Sequence, residues 1–174
     1  MGIEKPAPLL MNEVLKNSQS HTWEKAIAEW EVSGQDEDFE SLSVCVCGKT
    51  GLRYKYIITN TMTRTQLHPI GSECIRHFGS QNMVDTVEYL RKITELRKRN
   101  LGSITFQEIK DAGILSRKFI TALYEKGLFQ PNKFNRNDGK NDFQFYLNMF
   151  NSRSMSDKQR KKADVLTREL RKLV

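Results

Sequence analysis

Apolar positions recur along this chain at two different spacings. TWEKAIAEWEV places Trp23, Ala26, Ile27 and Trp30 at i, i+3, i+4 and i+7, one face of a helix with Thr22 as its N-cap. LRYKYIIT alternates instead. Leu52, Tyr54, Tyr56 and Ile58 point one way and Arg53, Lys55 and Thr59 the other, which predicts a half-buried strand. NTMTR then reads as a turn and TQLHPI as the returning strand, stopped by Pro69 and Gly71. Ser72 is placed to cap a helix at ECIRHF.

From Asn82 onward the pattern is helical. QNMVDTVEYLRKITELRKRN runs to about Asn100, FQEIKDAG is a short helix, and SRKFITALYEKG starts at Ser116 and stops at Gly127. DFQFYLNMF sets Phe143, Tyr146, Leu147 and Phe150 on one face, and SDKQ is a capping box of Ser156 and Gln159. The last helix carries Ala163, Leu166, Leu170 and Leu173 against Arg160, Lys161, Arg168, Arg171 and Lys172. Residues 1–20, with Pro6 and Pro8, read as a poorly anchored start, and SGQDEDFE as an acidic loop. The expected organisation is an acidic helical region over 1–42, a compact module over 43–80 and a basic helical region over 81–174.

Charge follows that division. Residues 1–42 hold nine acidic and three basic side chains, whereas the whole 174-residue chain has a net charge of +7. The remainder therefore carries +13. Basic residues that would face a nucleic acid or an acidic partner are Arg53, Lys55, Arg76, Arg91, Lys92, Arg97, Lys98, Arg99, Arg160, Lys161, Arg168 and Arg171. Taken alone, such runs are more simply read as a solvated helix face.

Cysteine placement adds the chemistry. Of three cysteines, two fall in VCVCGKTG as Cys45 and Cys47, and Cys74 follows in GSECIRHFG. A C-x-C-G turn holds two thiolates so close that a cation between them is the natural relief, and Gly48 accepts the unusual dihedrals. An odd number of cysteines, with no secretory segment and no long apolar run, points to a reducing cytoplasm and a metal rather than disulfides. Zn²⁺ in a structural role is the expected ion. His77 would complete a Cys-x-x-His pair on the helix, and His68 is its rival. Knuckle, hairpin and ligand-bearing helix make an α+β fold: a small treble-clef-like zinc module with a mostly α-helical C-terminal half.

CVCGKTGLRYKYIITN and LHPIGSECIRHFG also resemble a module of small, largely uncharacterised phage and prophage proteins. Trp23, Ala26, Glu29 and Trp30 match their W-x-x-A-x-x-E-W, and LSRKFITALYEKGLF and NDFQFYLNMFN look like their helical half. In that pattern the His77 position is commonly basic, which weakens His77 as ligand and strengthens its rival His68. The resemblance implies a phage-type binding protein in a bacterial cytoplasm, docked on a nucleic-acid-handling host protein such as a CRISPR nuclease and blocking DNA loading. Direct nucleic-acid binding through the basic helices is the alternative. A treble-clef metal-dependent nuclease, with His68 as base and Asn82 or Asp85 as partner, is the third. No Gly-rich phosphate loop or activated nucleophile is legible, so a non-enzymatic role is expected.

Overall fold

A computed structural model describes residues 6–173 of the chain. It is α+β, with eight α-helices and one three-stranded antiparallel sheet among the described residues. Contacts divide it into two units, 1–91 and 92–174. No helix in it is long and apolar enough to cross a membrane.

Unit 1 begins with α1 (Pro8–Lys16), which is anchored rather than loose: Leu10 and Val14, one helical turn apart, are both fully buried. Pro8 suits a helix start because its missing N–H has no intrahelical partner there. The helical spacing of apolar residues around Trp23 holds for burial but not for the element. The helix α2 (Trp23–Ala26) gives way to a 3-10 turn at Ile27–Glu29, and Trp30 opens strand β1 (Trp30–Glu37). Thr22 sits at the N-cap but its side chain makes no capping hydrogen bond. Trp23, Ala26, Ile27 and Trp30 are all buried.

The acidic stretch read as a loop is therefore largely strand. β1 pairs antiparallel with β2 (Tyr54–Asn60), from Trp30 opposite Asn60 to Glu37 opposite Tyr54, with an irregularity between Val32 and Gly34. Two cross-strand ion pairs offset its acidity: Arg53 to Glu37 at 3.0 Å and Lys55 to Asp36 at 2.8 Å. β3 (Gln66–Ile70) pairs on the other side of β2, so the order is β1-β2-β3. The predicted alternation holds where it matters, with Tyr56 and Ile58 buried.

The helix α3 (Ser72–Arg76) follows. Gly71, not Ser72, is its N-cap; Ser72 is the first helical residue. α4 (Gln81–Arg97) contributes Met83 and Val87 to the unit 1 core, which also holds Leu10, Trp23, Trp30, Tyr56, Ile75 and Phe78. That core draws the N-terminal helices, the hairpin and the cysteine-bearing turn and helix into one body.

Unit 2 is helical. α5 (Phe106–Asp111) starts with a Thr105/Glu108 capping box, α6 (Arg117–Glu125) with Ser116 as N-cap, and α8 (Asp157–Arg168) with the Ser156/Gln159 box. α7 (Gly139–Asn151) carries Tyr146, whose ring meets Phe106 edge-on at 5.0 Å. The Tyr146 hydroxyl lies 2.8 Å from the buried Thr167 hydroxyl. α8 ends at Arg168 and the chain continues as a 3-10 turn, Glu169–Leu173, in which Leu170 is fully buried.

Candidate metal centre and basic surface

The turn at Cys45 is built by its own backbone. Gly48 N–H donates to the Cys45 carbonyl at 2.7 Å, and Cys45 N–H to the Lys49 carbonyl at 2.8 Å. Gly48 takes φ +90°, a conformation that L side chains rarely adopt, so glycine follows Cys47 for a steric reason. Val46 N–H donates to the Pro69 carbonyl at 3.0 Å, tying the turn to the end of β3. α3 starts two residues beyond the end of β3 and delivers Cys74.

These elements bring the three sulfurs within 4.8 Å of one another, a group that can hold a metal ion. Cys45 and Cys74 are buried, Cys47 half-buried, and all three are free thiols. Cys45 Sγ and Cys74 Sγ are 3.6 Å apart. Neighbouring sulfurs around a tetrahedral zinc, at about 2.3 Å from the ion, lie roughly 3.8 Å apart. The spacing therefore fits such an ion. Gly71 N–H also donates to Cys45 Sγ at 3.3 Å, which favours the thiolate.

The pair shares a proton unevenly. The Cys74 thiol donates to Cys45 and holds the Cys45 pKa down at about 5, helped by the Gly71 amide. Cys74 is raised, because giving up its proton would place a second negative charge beside the Cys45 sulfur and because it is buried. Relieving that repulsion is what a cation does here.

Neither histidine belongs to the 4.8 Å group. His77 is half-buried at the C-cap of α3, three residues after Cys74. His68 is exposed on β3. Asn82 and Asp85, the other groups of the nuclease expectation, lie in the first turns of α4, where Asp85 accepts from Gln81 Nε2 at 2.8 Å.

The predicted basic residues fall into three sets. Arg53 and Lys55 are committed to the Glu37 and Asp36 pairs across β1 and β2, and Arg76 lies 3.4 Å from Glu73. Lys92 is not a surface cation at all: only 7% of it is exposed, and its ammonium donates to Ser116 Oγ at 2.6 Å and lies over the Phe119 ring. Arg91, Arg97, Lys98, Arg99, Arg160, Lys161, Arg168 and Arg171 are exposed. Residues 92–174 carry 19 basic and 9 acidic side chains, a net +10, so the cationic character belongs to unit 2.

One feature of unit 1 is absent from the sequence reading. A cleft of about 280 Å³ opens between β2, α3 and α4, lined by Tyr54, Tyr56, Arg76 and Arg91 among others. Its signal in the sequence was the aromatic at position 56, which alternation assigned to the core. No family model, curated protein or solved structure matches the chain.

Proposed function

We propose that this chain is a non-enzymatic binding protein, clamped in its first unit by a structural zinc ion and acting on nucleic acid through its basic second unit. The observation that carries the metal reading is the convergence of Cys45, Cys47 and Cys74 to within 4.8 Å, although Cys74 lies 29 positions after Cys45 in the chain. A reducing cytoplasm and three sulfur ligands favour zinc. The arrangement of turn, hairpin β2–β3 and helix α3 is treble-clef-like. His77, with His68 as rival, takes the fourth position. A site closed by four protein ligands leaves no place for substrate, which supports a structural role over a catalytic one.

The +10 balance of unit 2 supports the nucleic-acid reading, since exposed lysines and arginines gain affinity by releasing counterions from phosphates. A second reading follows from the acidic balance of residues 1–42, nine acidic against three basic side chains, which suits the basic channel of a nucleic-acid-handling protein. On that reading the chain is a phage-type inhibitor of a host defence nuclease of the CRISPR kind.

Metal content of protein purified without added zinc tests the clamp, with about one zinc per chain expected. Electrophoretic mobility shifts at rising salt then separate the two partners. Steeply salt-dependent binding of free DNA or RNA supports the first. No affinity for free nucleic acid, together with a salt-tolerant complex with a purified CRISPR nuclease, supports the second.

A further inference from the structure

The cleft between β2, α3 and α4 is lined by a hydroxyl that makes no hydrogen bond with the described residues. Tyr56 is 1% exposed and no described residue hydrogen-bonds its hydroxyl, yet that oxygen is not one of the fully enclosed atoms, so what exposure it has opens onto the cleft it lines. Burial pushes the Tyr56 pKa up to about 12, with the Arg91 guanidinium opposing, so the phenol remains a neutral donor across the physiological range. Arg91 and Arg76 line the same cleft, beside Tyr54 and Ser72. Here are a hydroxyl donor and two guanidinium groups around a space large enough for a small anion.

Charge narrows the choice of anion. Glu73 and Glu88 also line the cleft, so its formal charge is balanced. Arg76 is held by Glu73 only across an exposed 3.4 Å pair three residues apart on α3. Such pairs contribute little and exchange partners readily. A balanced lining of this kind suits a singly charged group better than a dianion. A phosphodiester carries one negative charge, whereas a terminal phosphate carries close to two.

We propose that this cleft seats one phosphodiester of a nucleic-acid strand, with the Tyr56 hydroxyl donating to a phosphate oxygen and Arg91 and Arg76 flanking it. The site deepens the nucleic-acid reading of the chain and rests on it in part. It places a positioning contact in unit 1, apart from the unspecific attraction of unit 2.

The test uses the full zinc-loaded chain and a fluorescein-labelled oligothymidylate read by anisotropy. Tyr56→Phe keeps the ring and removes the hydroxyl; it is expected to weaken binding about 10-fold with an unchanged melting temperature. Arg91→Gln is expected to do the same and to lower the salt slope by about 1, with Arg91→Lys recovering part of the loss. Wild-type affinity in Tyr56→Phe overturns the proposal. Should the wild-type chain bind no oligonucleotide, amide shifts with the dinucleotide ApA decide the cleft separately. Shifts around Tyr56 that vanish in Tyr56→Phe keep the site while the nucleic-acid reading falls, and no shifts overturn the site too. Tighter binding of AMP than of ApA, lost in Tyr56→Phe, overturns the phosphodiester in favour of a free-nucleotide site.

Discussion

Glu29 and Asn60, 31 residues apart, are joined by a 2.8 Å hydrogen bond from Asn60 Nδ2 to Glu29 Oε2. Asn60 is fully buried, and Glu29 is nearly so. The carboxylate also accepts from the Gln19 and Ser20 amides at 2.9 and 2.8 Å. Asn60 Oδ1 in turn accepts from the Met62 and Thr63 amides. A single acid thus ties the loop after α1 to the end of β2 and its turn.

That network makes unit 1 sensitive to acid. Donation from Asn60, Ser20 and Gln19 holds the Glu29 pKa down at about 2, against an ordinary 4.5. A depressed carboxyl stabilises the fold fully above its unfolded pKa. The contribution is lost as pH falls from about 4.5 towards 2. Wild-type chain should lose more stability between pH 6 and pH 3 than Glu29→Gln does, in urea unfolding followed by tryptophan fluorescence. Comparing the two proteins at each pH removes the part due to cysteine protonation and metal loss, which both share. Equal slopes would mean that the carboxylate contributes nothing. Asn60→Ala, which leaves the acid buried with a donor missing, should lower the melting temperature by several degrees at pH 7.

This network shows where reading the sequence stops. Glu29 sits in a run whose apolar spacing is helical, so a charged residue there looks like surface. The same 3.6 periodicity survives in the burial of Trp23, Ala26, Ile27 and Trp30 although the chain changes from helix to strand between them. Nothing local could announce β1, because its acidity is offset by Arg53 and Lys55 from a strand more than a dozen residues later. The α1 anchor was visible in Leu10 and Val14 after Pro8, a signal outweighed by the surrounding prolines and polar residues. The cysteine cluster and hairpin were legible for the opposite reason: a C-x-C-G turn and period-2 strands are local rules. The caps at Ser116 and Ser156 are local in the same sense. The cleft was not legible, because alternation says that Tyr56 points inward and not whether its hydroxyl finds a partner.

If the cysteine cluster holds zinc as proposed, removing the ion should unfold unit 1. Structural zinc contributes about 10–16 kcal/mol of apparent binding energy in small finger peptides. Even about 3 kcal/mol lost from a unit of this size lowers its melting temperature by more than ~10 °C. Cys45→Ser and Cys74→Ser, at the buried positions, should lose zinc and melt early, and Cys47→Ser should follow them less severely. Among the histidines, His77→Ala should reduce zinc affinity while His68→Ala leaves it unchanged. Atomic absorption together with calorimetry reads both quantities. The reverse order would assign the fourth position to His68.

Gly139 opens α7 at a point where no side chain fits. A Cβ there would lie 1.9 Å from the Phe129 carbonyl oxygen, a backbone atom that cannot turn aside. Helix propensity alone favours alanine over glycine by up to about 1 kcal/mol. The clash should win. Gly139→Ala should destabilise unit 2 by at least ~2 kcal/mol, seen as a lower urea midpoint. A neutral or stabilising result would mean that α7 and the chain at Phe129 can separate without loss.

Charge reversal of the binding argument comes from residues that share a sign but not a situation. Arg160, Lys161 and Arg168 are exposed on α8, whereas Arg53 and Lys55 already face Glu37 and Asp36. If unit 2 tracks a phosphate backbone, glutamine at each of the three α8 positions that touches a phosphate should lower the salt slope of DNA binding by about 1. Arg53→Gln and Lys55→Gln should leave that slope unchanged and reduce stability slightly, since they free an acid on β1. Lys92→Gln should act on stability alone, because its ammonium is buried against Ser116. Slopes that respond equally to α8 and to β2 substitutions would remove unit 2 as the nucleic-acid surface, because attraction would then follow total charge and no particular face.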